Sequence, residues 1–305
     1  MSLGEFKQNI RNELLERRSK LSEKSLSSYI STLSNIPKKM GDKDLDITDI
    51  KYFSRNHKQI INYLKNIPEN KRKSILSPLV VITEIQQYKD LMKIDIDSFN
   101  KMTEGQEKSK KEKVNWIDWN DVLEFHSKLK FKAENNIKNN KKTEDYDMEL
   151  ISDYVLLSMY IYRPARRSLD YADMKIRNFS KEDNYIDLKK KTINYADYKT
   201  RKTYGIQNFD ISEDTELMKL MRQWMKINKS DYLLIESHTS SQITKRFNRI
   251  FKSTKRIISV NMLRHSFLTH TYSIMDSMPT LEFMKMLSEH MAHSLETAMT
   301  YIKKE

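Results

Sequence analysis

Apolar residues recur at helical spacing through most of the first hundred positions. Leu14, Leu15, Leu21, Leu26, Tyr29, Ile30, Leu33 and Ile36 form one series, which Pro37 is expected to end. A second series runs through Ile50, Phe53, Ile60, Ile61, Tyr63, Leu64 and Ile67 and closes at Pro68; a third covers Leu79 to about Tyr88. Residues 104–113 carry no apolar side chain and read as a solvated linker. Beyond it, Trp116 to Phe131 reads as a helix, 135–142 as a polar loop, and Met148–Tyr162 as a strongly apolar helix. Between Tyr185 and Ile211 the period changes to 2. Tyr185–Leu188, Thr192–Tyr195 and Tyr204–Ile211 read as three short strands joined by tight basic turns. Helical spacing returns over Thr215–Ile227, Ser241–Phe251, Asn261–Ile274 and Leu281–Met291, with a last short helix to Ile302. The pattern predicts a mainly α fold with a small antiparallel β-sheet. It divides into a helical domain at 1–103, a linker at 104–113 and an α+β domain at 114–305.

Composition narrows the chemistry. A chain of 305 residues is long enough for two domains, and only 4 glycines and 5 prolines argue against a turn-rich all-β fold. The glycines, at Gly4, Gly41, Gly105 and Gly205, never fall close enough for a dinucleotide loop or a Walker loop. The absence of cysteine excludes disulfides, thiolate zinc sites and a cysteine nucleophile. No apolar run approaches the ~18 residues of a membrane span, and no signal-peptide core follows Met1, so the expectation is a soluble, intracellular protein. The net charge of +13 makes a polyanion the natural partner, because each basic group that meets a phosphate releases a counterion. Richness in Lys, Asn and Ile is also what an AT-rich coding genome produces.

Candidate chemistry lies near the C-terminus. Leu263-Arg-His-Ser-Phe-Leu-Thr269 is followed by Met291-Ala-His-Ser294 and then by Tyr301. This resembles the catalytic domain of the tyrosine recombinases (the phage-integrase family), in which a His-x-x-Arg box and a Leu-Gly-His box precede the nucleophilic tyrosine. Upstream, Arg167-Ser-Leu-Asp170 fits the family's Arg-x-x-(Glu/Asp) box, with Asp170 as the acidic partner. Arg163 and Arg166 stand nearby; Arg167 is preferred to Arg166 because only Arg167 has an acid three positions on. Lys199, between the second and third predicted strands, takes the place of the family's hairpin lysine, with Lys202 as the alternative. The match spans residues 148–301, about half the chain.

The resemblance implies a helical core-binding domain that closes a clamp on DNA opposite the catalytic domain. It also implies DNA cutting and rejoining through a 3′-phosphotyrosyl link, with no metal, cofactor or ATP. Arg167 and Arg264 would neutralise the pentacovalent phosphorane, since each guanidinium matches two phosphate oxygens. Tyr301 would be the nucleophile, Lys199 would protonate the departing 5′-oxygen, and His293 would hydrogen-bond the phosphate. Asn261 stands where the family carries a histidine, Ala292 replaces the customary glycine, and Tyr301 follows His293 by eight residues, one short of the usual form. His265 adjoins Arg264 but points about 100° away on a helix, so it is a poor substitute for that histidine.

Double-stranded DNA is the expected partner. The run from Lys245 to Arg256 holds six basic residues (Lys245, Arg246, Arg249, Lys252, Lys255, Arg256) and no acid, and with Lys202 it is expected to meet DNA. His290 and His293 lack the further ligands of a metal site, and Asp170 with Asp173 beside arginines does not read as a nuclease carboxylate cluster. The form Pro164-Ala-Arg-Arg-Ser-Leu-Asp-Tyr171, together with Asn261, looks most like versions carried by large DNA viruses or mobile elements. Two other readings stay open: a type IB topoisomerase-like enzyme, and a catalytically inactive DNA-binding relative. A tetramer on DNA also stays open. Only four residues follow Tyr301, too few for the C-terminal helix that many relatives exchange, so its contacts would have to come from elsewhere.

Overall fold

The computed structural model describes residues 3–41, 49–235, 238–275 and 279–303. The chain forms two units, Met1–Gly105 and Gln106–Glu305. The first is helical: α1 Leu3–Arg17, α2 Glu23–Met40, α3 Tyr52–Arg55, α4 His57–Lys65, α5 Glu69–Thr83 and α6 Gln86–Glu104. Leu14, Leu26, Leu33, Phe53, Ile60, Leu64, Leu76, Leu79 and Tyr88 are fully enclosed in its core. Ser22 caps α2 by accepting from the Ser25 amide. Pro37 does not end that helix. It is buried within the last turn, and the stop comes at Gly41, whose φ of 87° only glycine adopts without strain. The expected third series is two helices, broken at Glu84 with φ 55°. They are bound together by the buried pair Arg72 and Asp95, whose Nε to Oδ2 distance is 2.9 Å.

The second unit begins where a linker was expected. Ser109 and Glu112 form a capping box: the Ser109 Oγ accepts from the Glu112 amide, and the Glu112 carboxylate accepts from the Ser109 amide. The result is α7, Lys110–Asn115, polar in sequence but helical because the capping box satisfies amides at its N-terminus. There follow α8 Trp119–Asn139, α9 Met148–Tyr162 and α10 Leu169–Ala172. The expected loop at 135–142 is mostly the end of α8, because Ala133 and Ile137 continue its inward stripe. Helix α9 is buried on every side from Ile151 to Tyr160 and packs against α8.

Strands β1 Tyr185–Asp187, β2 Thr192–Tyr195 and β3 Gln207–Asp210 form an antiparallel sheet in the order β1-β2-β3. Ile186 pairs with Ile193, and Ile193 with Phe209. The third strand is shorter than expected because α11, Arg201–Tyr204, turns at Gly205 before it. The remaining helices are α12 Thr215–Ile227, α13 Ser240–Ile250, α14 Val260–Ser273, α15 Leu281–His290 and α16 Leu295–Tyr301, with a 3₁₀ turn at Lys252–Thr254. Helices α12 and α13 also pack on α9, and α14 meets α16. Among the described residues, no helix is long and apolar enough to cross a membrane.

Candidate active site

Helix α9 ends at Tyr162, and Pro164 prevents its continuation, so residues 163–168 run irregularly past the site. Three arginines leave this segment in three directions. Arg163 pairs with Asp214 at 2.7 Å. Arg166 is 1% exposed: its Nε meets Asp170 at 2.8 Å, and its Nη1 donates to Gln207 at 2.9 Å and to the His290 carbonyl at 2.8 Å. The Tyr195 ring lies 3.8 Å from its guanidinium carbon. Arg167 is half-buried and donates to the Ala292 carbonyl at 2.7 Å.

The expected pairing of Asp170 with Arg167 is therefore corrected. Asp170 bonds Arg166, one helical turn back at i,i+4, because its carboxylate points into the core, where Arg166 lies. Arg166 braces β3 and the end of α15 through Nη1, while its Nη2, like two nitrogens of Arg264, has no hydrogen-bond partner among the described residues.

Helix α14 starts at its cap, Ser259, and carries Arg264 inward at 0% exposure. Arg264 Nη2 reaches the Met291 carbonyl at 3.3 Å, and the guanidinium lies 4.7 Å from the Tyr301 ring centroid. Its Nε and Nη1 have no hydrogen-bond partner among the described residues. His293, 3% exposed, stacks on Tyr301 with ring centroids 5.3 Å apart and planes 7° from parallel. Among the described residues, neither ring nitrogen of His293 has a hydrogen-bond partner of normal geometry. Burial, then the charges of Arg264 and Arg167, push its pKa down to about 3, so the ring is neutral at physiological pH.

The end of α15 and the turn after it tie these groups together. Their carbonyls at Glu289, His290, Met291 and Ala292 accept from Gln207, Arg166, Arg264 and Arg167 respectively. Thr200 Oγ1 also donates to Ala292 O, at 2.9 Å. Lys199, next to Thr200, is exposed on the turn that follows β2, and Lys202 is exposed on α11. Ala292 has a φ of 56°, a left-handed conformation that glycine adopts more freely than alanine. Asn261 is exposed in the first turn of α14, one turn before Arg264.

The structure thus gathers Arg167, Arg264, His293 and Tyr301, with Thr200 bringing the Lys199 turn alongside. Unpaired cationic donors, a neutral imidazole and a phenol in one place suit an anion that undergoes attack at its centre.

The basic run is divided. Lys245, Lys252, Lys255 and Arg256 are exposed. Arg249 is exposed as well but is ion-paired, and Arg246, expected on DNA, is corrected to a buried side chain with internal partners. Arg246 is 8% exposed and meets Asp153 at 3.0 Å and Ser152 at 2.9 Å, while Arg249 grips Asp153 at 2.7 Å and also bonds Glu149. The acids missing from the run come from α9. Sequence reasoning also passed over Glu112, whose Oε1 lies 3.4 Å from His265 Nε2. Its capping-box spacing from Ser109 was the available signal. Among the described residues, no three His, Cys, Asp or Glu side chains cluster as metal ligands would.

No protein-family model matches the chain, and no curated protein matches it. Among solved structures it is similar to one described as the crystal structure of XerA recombinase. That similarity has 13% identity and a TM-score of 0.40, over 97% of this chain and 94% of the other.

Proposed function

We propose that this chain is a tyrosine recombinase that cuts and rejoins DNA through Tyr301. The observation that supports the reading is the buried Arg264 guanidinium, unpaired at Nε and Nη1 and lying over the Tyr301 ring beside His293. A phosphodiester is the anion whose oxygens would occupy those donors. Tyr301 Oη attacks the phosphorus, its proton passing to solvent. The phosphorus–oxygen bond to the 5′ side breaks, and that oxygen leaves with a proton from Lys199 Nζ, giving a 3′-phosphotyrosine. Arg167, Arg264 and the neutral His293 stabilise the charge on the non-bridging oxygens, and Asn261 positions the phosphate. Lys202, Lys245, Lys252, Lys255 and Arg256 hold the flanking backbone. The helical first unit adds the DNA clamp. Return attack by a 5′-hydroxyl rejoins the strand, so the scheme needs neither ATP nor metal.

The test is a denaturing gel of the protein incubated with a pool of nicked suicide duplexes of randomised sequence. A covalent adduct is expected, and Tyr301→Phe should abolish it while leaving DNA affinity within a few-fold, roughly what loss of an uncharged hydroxyl implies. Binding without an adduct in the parent would favour an inactive relative. Adducts that persist in Tyr301→Phe would place the nucleophile elsewhere.

A further inference from the structure

Helix α16 has seven residues, too few to hold its own register, and side chains from outside it fix its backbone. Gln106 Nε2 donates to the Met299 carbonyl at 3.2 Å. His265 Nδ1 donates to the Tyr301 carbonyl at 2.8 Å, and the Lys303 amide donates to Thr269 Oγ1 at 3.0 Å. Behind His265 stands Glu112, with Oε1 at 3.4 Å from His265 Nε2 and 3.7 Å from Lys303 Nζ. The other carboxylate oxygen of Glu112 accepts from the Ser109 amide at 2.8 Å, so the capping box of α7 aims this acid at the end of the chain.

We propose that Glu112 and His265 are positioning residues that seat the Tyr301 backbone, and through it the Tyr301 ring, against Arg264 and His293. The inference rests on the reading of Tyr301 as nucleophile. His265 cannot act on the phosphate from its side of α14; its ring lies 4.6 Å from the Tyr301 ring and bonds the main chain instead. The groups facing it are Glu112 of α7, Tyr301 of α16 and Lys303 beyond α16, with Arg264 beside it on α14. To donate to a carbonyl, Nδ1 must carry a proton, and a second proton on Nε2 completes the bridge to the Glu112 carboxylate. Burial holds His265 below its ordinary range; Lys303 and Arg264 add to this, while the Tyr301 carbonyl and Glu112 oppose it. Glu112 lies below the usual carboxylate range despite its burial, because bonds from Ser109 and the charges of Lys303 and His265 outweigh that burial.

The experiment measures single-turnover adduct formation on the same nicked duplexes, at saturating DNA and across pH. His265→Ala should slow the step by on the order of tenfold to a hundredfold, the scale of a misplaced reacting group, with DNA affinity within about twofold. His265→Asn retains a donor near the Nδ1 position and should recover most of that loss. Glu112→Gln keeps an acceptor for the Ser109 amide, so α7 remains capped. It should move to lower pH the loss of rate that follows deprotonation of His265, because removing a carboxylate disfavours the imidazolium that completes the bridge, a change that a merely structural Glu112 would not cause. Parent-like rates in His265→Ala, an asparagine variant no faster than the alanine one, or an unmoved profile in Glu112→Gln would overturn the inference. Adducts in Tyr301→Phe, or none in the parent, would overturn the reading beneath it instead.

Discussion

Arg72 in the first unit and Arg264 in the second are both removed from water, at 8% and 0% exposure. Arg72 reaches from α5 to α6 and grips both carboxylate oxygens of Asp95, which is itself buried. Arg264 touches one carbonyl at 3.3 Å, and its Nε and Nη1 meet no acceptor among the described residues. Burying a charged group without a partner costs several kcal/mol even after relaxation, so a fold keeps one only where another requirement demands it. On our reading the first arginine holds two helices together, and the second waits for a phosphate.

The widest separation between the two should come from replacing each with methionine. Arg72→Met leaves Asp95 buried without its partner and should lower stability by about 3–5 kcal/mol in denaturant unfolding. Arg264→Met removes a charge with no carboxylate bound to it, so stability should hold or rise. Adduct formation should fall about 10²–10³-fold, the usual loss for one preorganised donor. If Arg264→Met unfolded as easily as Arg72→Met and still cut DNA at the parent rate, the contrast would fail.

A smaller effect sharpens the account of the turn whose Met291 and Ala292 carbonyls accept from Arg264, Arg167 and Thr200. Ala292 holds φ 56°, which costs an L residue about 1–2 kcal/mol, against roughly 0.5–1 kcal/mol of extra chain entropy for glycine. Ala292→Gly should therefore raise stability by up to about 1 kcal/mol, read as a shift of the denaturant midpoint, without reducing adduct formation. Smallest of all, Lys252→Ala and Lys255→Ala should each flatten the salt dependence of DNA binding by about one counterion. Arg249→Ala should leave that slope unchanged and lower stability instead, because Asp153 loses a partner.

Local features were the legible ones. Helix α9, strand β2 and helix α12 have the bounds that their patterns predicted, because each pattern reports a face turned toward one core. Arg264, His293 and Tyr301 were found by box spacing and are brought together by α14, the turn after α15, and α16. Helix α6 was not seen, because Ile94, Phe99 and Met102 are exposed on it and blur the stripe. The roles of Arg246 and Arg249 were hidden for another reason: their acids lie more than ninety residues away in sequence. The Asp170 partner was misassigned by a single residue, since a spacing of three and one of four are both plausible until the direction of Arg166 is known.

The central claim is that Tyr301 attacks a phosphate held by Arg264, and peptide mapping of the trapped adduct tests it most directly. After nuclease and protease digestion, mass spectrometry should find a residual nucleotide on the peptide containing Tyr301 in the parent protein, and at most a trace in Arg264→Met sampled at the same early time. A nucleotide on another tyrosine, such as Tyr272, or an adduct of parent yield in Arg264→Met, would contradict it.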